Sequence, residues 1–218
     1  MPWRLDGHGA ADAPLVLALH GQGMTPSLFA TLLLPLFSLP IHVLTPRAPR
    51  THSVHGAQHT GPSWYAYDGN QERFRAELER TEKLLVGFVT EAETQLRLRP
   101  RARALLGFSQ GGYCGAYVAL RRSDLFDAMV ISGARVKVEI LADEIRRAGA
   151  SGFAALLCHG ERDASVDPQA ARTSYTTLEA AGVDVQLRRF DAGHSLGSRQ
   201  VTAIRDWLQG HWQLPPPA

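Results

Sequence analysis

Six apolar runs of strand length recur along this chain: Leu15–Leu19, Ile41–Leu44, Ala102–Leu106, Ala128–Ser132, Ala154–Cys158 and Val185–Phe190. A strand wet on one side alternates apolar and polar residues, whereas a strand covered on both faces reads as a near-continuous apolar run. These runs are of the second kind, with helical patterns between them, the alternation of a mainly parallel sheet carrying helices on both faces. The longest helical pattern, Gln71–Leu96, places Phe74, Leu78, Leu85, Phe88, Val89, Ala92 and Leu96 on one stripe. Asp68-Gly69-Asn70 supplies its start and Pro100 marks its end. Two later helices are expected, Gln169–Ala181 closed by Gly182 and Leu196–Leu208 closed by Gly210. Thr45 to Tyr67 reads as one long irregular stretch following a strand, on the side where open α/β sheets bind ligands.

The 218 residues suit a single domain spanning the whole chain, with residues 1–13 and 213–218 loosely ordered. The 23 Lys and Arg nearly balance 21 Asp and Glu, and no basic run exceeds two residues, so the expectation is no nucleic-acid partner. The only cysteines, Cys114 and Cys158, read as buried free thiols in a reduced compartment, a bridge between them being the alternative. Met1–Ala13 contains no apolar signal-like core, and Leu28–Pro40 is too short to span a bilayer and is broken by Pro35. The expectation is a cytoplasmic protein without a membrane span.

Between the run ending at Leu106 and the helical stretch after Gly112 lies Gly107-Phe108-Ser109-Gln110-Gly111. A Gly-x-Ser-x-Gly at a strand-to-helix junction is a nucleophile elbow, a turn so tight that neighbouring Cβ atoms would clash and the serine is held at strained φ/ψ. A serine hydroxyl is a weak nucleophile at neutral pH, so Ser109 needs a base and a carboxylate to orient that base. The chain order for such sites is Ser, then Asp or Glu, then His. Asp163 follows the strand ending at Cys158, and His194 follows the next strand. Asp167, before Pro168, reads as a helix start and is the fallback acid; Asp191 braces the His194 loop.

Other histidines read differently. His20 and His159 end strands and suit structural hydrogen bonding, and His8 and His211 lie near the termini. His52, His55 and His59 match no zinc spacing, so no metal is expected. A developing oxyanion calls for preorganised backbone N–H groups. Gln110, immediately after the nucleophile, is one candidate, and Gln22, between Gly21 and Gly23 after the first apolar run, is the other.

Leu19-His20-Gly21-Gln22-Gly23, Gly107-Phe108-Ser109-Gln110-Gly111-Gly112, Cys158-His159-Gly160-Glu161-Arg162-Asp163 and Gly193-His194 together resemble the phospholipase/carboxylesterase family that includes the acyl-protein thioesterases. Pro62-Ser63-Trp64-Tyr65 is similar to that family's Ser-Trp-Phe-Asp segment, and the resemblance runs from Leu15 onward. It implies an α/β-hydrolase fold with reduced N-terminal strands and no large lid domain. It also implies a serine hydrolase that cleaves carboxylic esters or thioesters without a cofactor, and often a homodimer. By this resemblance Ser109, Asp163 and His194 form the triad, and Gln22 and Gln110 the oxyanion hole. The rival reading is a non-catalytic protein of the same fold that binds a ligand or partner.

The expected partner is a small-molecule or acylated substrate. Trp64 and Tyr65 are the candidate substrate-binding residues. Leu28–Phe37 reads as a buried helix or an apolar patch at the site's mouth. Two departures from the family pattern bear on substrate. Tyr65 is followed by Ala66-Tyr67-Asp68 where the family has an immediate Asp, and Ala134-Arg135-Val136-Lys137 replaces an apolar, proline-containing stretch. Arg135 and Lys137 read either as solvated charge or as a feature favouring an anionic substrate.

Overall fold

Leu15-Val16-Leu17-Ala18-Leu19 is fully buried, because alternate side chains of a strand leave opposite faces and both faces here are covered. Leu15, Leu17 and Leu19 enter one apolar cluster and Val16 and Ala18 another, so the sheet separates two cores. The computed structural model describes residues 1–53 and 60–216. In chain order its elements are β1 (Trp3–Gly7), β2 (Leu15–Leu19), α1 (Pro26–Leu32), β3 (His42–Pro46), β4 (Arg50–Ser53), β5 (Thr60–Ser63), α2 (Gln71–Leu96), β6 (Arg103–Phe108) and α3 (Gln110–Arg121). There follow β7 (Ala128–Ser132), α4 (Ala142–Ser151), β8 (Ala154–Gly160), α5 (Pro168–Ala180), β9 (Asp184–Phe190) and α6 (Ser198–His211).

Seven strands form one sheet in the order β1-β3-β2-β6-β7-β8-β9, parallel throughout except for β1 against β3. Side chains of α2, α3, α4 and α5 fill one core, and those of α1 and α6 fill the other. This is the mostly parallel, two-sided α/β-hydrolase arrangement, with no large lid among the described residues, and β1 represents the reduced antiparallel opening. Cys114 and Cys158 are free and lie in opposite cores, which separates the two thiols by the sheet. Among the described residues no helix is long and apolar enough to cross a membrane.

Several expectations need correction. Residues 1–13, read as loosely ordered, contain β1, whose five residues pair with β3 from Trp3↔Pro46 to Gly7↔His42. At the other end Leu214 is buried and its N–H reaches the Gln209 carbonyl, so order extends beyond 213. The stretch 45–67 is not wholly irregular: β4 and β5 form an antiparallel ribbon, Arg50↔Ser63 to Ser53↔Thr60. His55 and His59 lie outside the described residues. The Val185–Phe190 run is an edge strand with alternating exposure rather than a strand buried on both faces.

Helix ends follow local chemistry where a cap dominates and tertiary contacts where it does not. Asn70 caps α2 by accepting from the Arg73 N–H at 2.9 Å, and Asp167 caps α5 by accepting from the Gln169 N–H at 2.8 Å. Asp167 thus serves as a helix start. The last helix passes through Gly210, the expected stop, because its final turn is anchored from outside. His211 Nε2 lies 3.2 Å from Asp127 Oδ2, and Trp212 Nε1 donates to the same oxygen at 2.9 Å.

Candidate active site

The sheet order itself creates the crevice. From β2 the chain steps outward to β3, then returns to the far side of β2 as β6, so the loops leaving β2 and β6 diverge at adjacent strand ends. Such a switch point is where open α/β sheets hold ligands. Leu19 pairs with Gly107, which sets the Gly21–Met24 loop beside the turn at Ser109.

That turn is as tight as the motif requires. Ser109 adopts φ 51° and ψ −119°, a conformation that L-residues avoid. A Cβ on Gly107 would lie 2.3 Å from the Gly111 carbonyl oxygen, and one on Gly111 would lie 2.2 Å from the Leu19 carbonyl oxygen. Only hydrogen fits at either place, because backbone crosses backbone there.

Around the half-buried Ser109, three elements converge. The His194 ring, on the loop after β9, places Nε2 2.8 Å from Ser109 Oγ and Nδ1 2.8 Å from Asp163 Oδ2. The carboxylate's other oxygen accepts the backbone N–H groups of Ser165 and Val166 at 2.8 and 2.9 Å. Burial acts to raise the Asp163 pKa, but the hydrogen bonds from His194 and from these two N–H groups outweigh it and hold the carboxyl below its ordinary value. A charged, fully bonded carboxylate at Nδ1 keeps the proton there and leaves Nε2 as the acceptor toward Ser109.

Further side chains hold this frame. Phe108 stacks on the His194 ring at 5.2 Å. His159 Nε2 faces the Val166 carbonyl at 2.9 Å, bracing the Asp163 loop from below. Buried His20 donates from Nδ1 to the Gly21 carbonyl at 2.8 Å and accepts the Ala48 N–H at Nε2, while burial lowers its pKa and keeps the ring neutral. Both histidines therefore play the structural parts expected. Asp191 pairs with Arg162 at 2.5 Å on the surface, consistent with a brace for the His194 loop.

The family model for phospholipase/carboxylesterase proteins matches residues 7–212. The chain belongs to the phospholipase/carboxylesterase family. Among solved structures it is similar to esterase PE8, at 25% identity and TM-score 0.75, with 96% of this chain and 97% of that one covered. A carboxylesterase from Mesorhizobium loti aligns at 18% identity and TM-score 0.77, covering 96% and 94% of the two chains. Acyl-protein thioesterase 2 from Zea mays aligns at 18% identity and TM-score 0.73, covering 96% and 98%. Membership in this family supports ester hydrolysis.

Within this family member, a cavity of about 490 Å³ opens beside Ser109. Gln22 and Gln110 both line it. Gln110 is the first residue of α3, where a backbone N–H has no partner within its helix. The Gly23 N–H donates to the Pro62 carbonyl at 2.8 Å, so the β4–β5 ribbon holds the Gln22 loop in place.

The two aromatic candidates separate. Tyr65 lines the cavity, whereas Trp64 is buried beneath it, its Nε1 donating to the His20 carbonyl at 2.8 Å. Trp64 is therefore a packing residue and does not line the cavity beside Ser109, because its polar edge is drawn to a buried carbonyl. The Leu28–Phe37 segment forms α1 and a 3-10 turn over Leu34–Ser38. Phe29, Leu33 and Leu36 are buried, while Leu28 and Leu34 point outward and do not line the cavity.

Tyr67, Phe74, Tyr113, Ser165 and Val166 also line the cavity and were not anticipated from sequence. Tyr113 had a readable signal: four residues after Ser109 on a helix, it faces the same way. The Gln110 side chain was also missed. Its Oε1 accepts the Trp64 N–H at 2.9 Å, and its Nε2 donates to Ser63 Oγ at 2.9 Å and to the Tyr65 carbonyl at 3.0 Å. This amide pins the whole 63–65 segment to the elbow.

Proposed function

We propose that this protein is a serine hydrolase cleaving carboxylic esters or thioesters through an acyl-enzyme. The observation that carries the reading is the continuous hydrogen-bonded chain Ser109 Oγ, His194 Nε2, His194 Nδ1, Asp163 Oδ2, with both links at 2.8 Å. Ser109 Oγ attacks the acyl carbon while its proton passes to His194 Nε2. The resulting oxyanion is received by the backbone N–H groups of Gln22 and Gln110, the latter also at the positive end of α3. Collapse expels the alcohol or thiol, which takes the proton from Nε2 and leaves Ser109 acylated. Water then enters, gives its proton to Nε2 and attacks the acyl carbon; the released serine recovers that proton. Asp163 stays ionised and keeps Nδ1 protonated throughout.

Strain at Ser109 supports the same reading, since a non-glycine residue held at positive φ beside a cavity is characteristic of a reactive group presented to it. The test is labelling with a fluorophosphonate probe combined with turnover of 4-nitrophenyl acetate and a short acyl thioester. Labelling confined to Ser109 and turnover lost in Ser109→Ala are expected. Folded wild-type protein that neither labels nor hydrolyses any ester or thioester refutes the proposal.

A further inference from the structure

The cavity beside Ser109 carries an unusual charge arrangement. Arg135 and Lys137, on the segment after β7, both line it. Lys137 is only 9% exposed, so it is not the solvated surface charge that sequence allows. Its ammonium lies 3.0 Å from Glu139 Oε1, 3.3 Å from Gln71 Oε1 and 5.4 Å from the centre of the Phe74 ring. The Arg135 guanidinium is bidentate to the same Glu139 carboxylate at 2.9 and 3.0 Å. Two cations thus share one carboxylate, leaving one positive charge uncompensated in this cluster.

The shared carboxylate is on the solvent side. Glu139 is about half exposed, 47% for its side chain, and does not line the cavity, while the two cations do. Its pKa is lowered to about 2, chiefly by the Arg135 hydrogen bonds, so it stays ionised across the working pH range. The other carboxylate close to the cavity, Asp163, is taken up by His194 and two backbone N–H groups. Spare donors remain: a guanidinium has five N–H groups and an ammonium three, more than the acceptors these two cations find.

The rest of the lining points the same way. Val166 is the only aliphatic side chain among the lining residues; Tyr65, Tyr67 and Tyr113 supply hydroxyl-bearing rings. A long aliphatic chain placed here would desolvate an ammonium and a guanidinium without giving them a partner, which is costly. A group with anionic oxygens would supply the missing charge and use the free donors.

Resting on the serine-hydrolase reading above, we propose that the substrate is an ester or thioester bearing an anionic oxygen group, a carboxylate or phosphate, that binds between Arg135 and Lys137. The anion is the specificity handle; the scissile carbonyl lies at Ser109 in the same cavity.

The experiment compares kcat/KM within two pairs, each corrected for spontaneous hydrolysis. Mono(4-nitrophenyl) glutarate against 4-nitrophenyl pentanoate places the charge on the acyl side; 4-acetoxybenzoate against 4-methylphenyl acetate places it on the alcohol side. Inorganic phosphate and glutarate, each tested as a competitive inhibitor, distinguish the two kinds of anion. A charge-assisted contact predicts a preference of roughly 10- to 100-fold for the charged member of at least one pair. That preference should fall in Arg135→Met and Lys137→Met, weaken with added salt, and rise in Glu139→Gln, where the competing carboxylate is gone. A rise cannot come from a poorly folded variant. No preference in either pair, or a preference unchanged in all three variants, overturns the proposal. Fluorophosphonate labelling separates the two readings: intact labelling without charge preference sinks the anion proposal alone, and absent labelling sinks the hydrolase reading and this proposal with it.

Discussion

Replacing Gln110 by Met isolates what the side chain beside Ser109 does, because the backbone N–H proposed to receive the oxyanion is kept. Met is unbranched and of similar length, so the change removes hydrogen bonds more than volume. Two bonds to the 63–65 backbone disappear, from the Trp64 N–H at 2.9 Å and to the Tyr65 carbonyl at 3.0 Å, along with the bond to Ser63 Oγ at 2.9 Å, whose hydroxyl keeps the Tyr65 carbonyl as partner. The Tyr65 carbonyl keeps a donor, the Ser63 hydroxyl at 2.8 Å, so its loss is about 0.5–1.5 kcal/mol. The Trp64 N–H is buried and finds no other acceptor among the described residues, which costs about 1–3 kcal/mol. The total is about 1.5–4.5 kcal/mol of folding stability. Urea unfolding followed by tryptophan fluorescence measures it, and kcat/KM on 4-nitrophenyl acetate measures displacement of the Tyr65 wall. Gln110→Glu serves as a control. It keeps an acceptor for Trp64 but sets a carboxylate oxygen against the Tyr65 carbonyl, so its deficit should shrink where the acid is protonated. A Met variant within about 0.5 kcal/mol of wild type would show that the amide clamp contributes nothing and that the ribbon is held by packing alone.

Other substitutions probe the frame. Ser109→Ala should lower kcat by about 10⁴-fold or more while leaving the fold intact. Ser109→Gly should be equally inactive yet unfold at a higher temperature than the Ala variant, since glycine relieves the φ 51° strain; an equal or lower melting temperature refutes the strain argument. Asp163→Asn should cut kcat by about 10⁴-fold, because an amide does not enforce the Nδ1–H tautomer. Because the Asp163 pKa is lowered by folding, its stabilising effect is present above the ordinary carboxylate range and lost as pH falls through its folded value. The urea midpoint of wild type should therefore exceed that of Asp163→Asn at pH 6, and the gap should narrow on acidification toward pH 3. Gly111→Ala drives a methyl to 2.2 Å from the Leu19 carbonyl oxygen and should yield little folded protein; a well-folded, active variant would mean that β2 and α3 can separate freely.

Much of the site was legible before any coordinates because its chemistry is written in short, local words. The turn at Ser109 needs Gly107 and Gly111 within two residues on either side, and the Asp163 loop follows a strand whose apolar run stands out. The cap at Asn70 and the α2 stripe were equally local. What escaped depended on partners far away in sequence. β1 is short and polar, a strand only because β3 offers it an edge, and β4 and β5 exist only as each other's partner. Trp64 read as a cavity wall until its Nε1 was found on the His20 carbonyl, 44 residues away. The last helix outran Gly210 because Asp127, distant in the chain, holds its final turn.

The sequence by itself determined the parallel layered sheet, the strained serine and the chain order in which Ser109, Asp163 and His194 come to one site, since periodicity, glycine spacing and chain order are properties of neighbours along the backbone. Only the tertiary structure decided which charges enter the cavity. Arg135 and Lys137 lie two residues apart in a string that reads either as solvated charge or as a handle for an anionic substrate. Their meaning comes from Gln71 and Phe74 on α2, which close over Lys137, and from Glu139, which neutralises one of the two charges from the solvent side. Burial and shared counter-charge are properties of packed surfaces, and those surfaces form only when α2 and the segment after β7 meet on one face of the sheet.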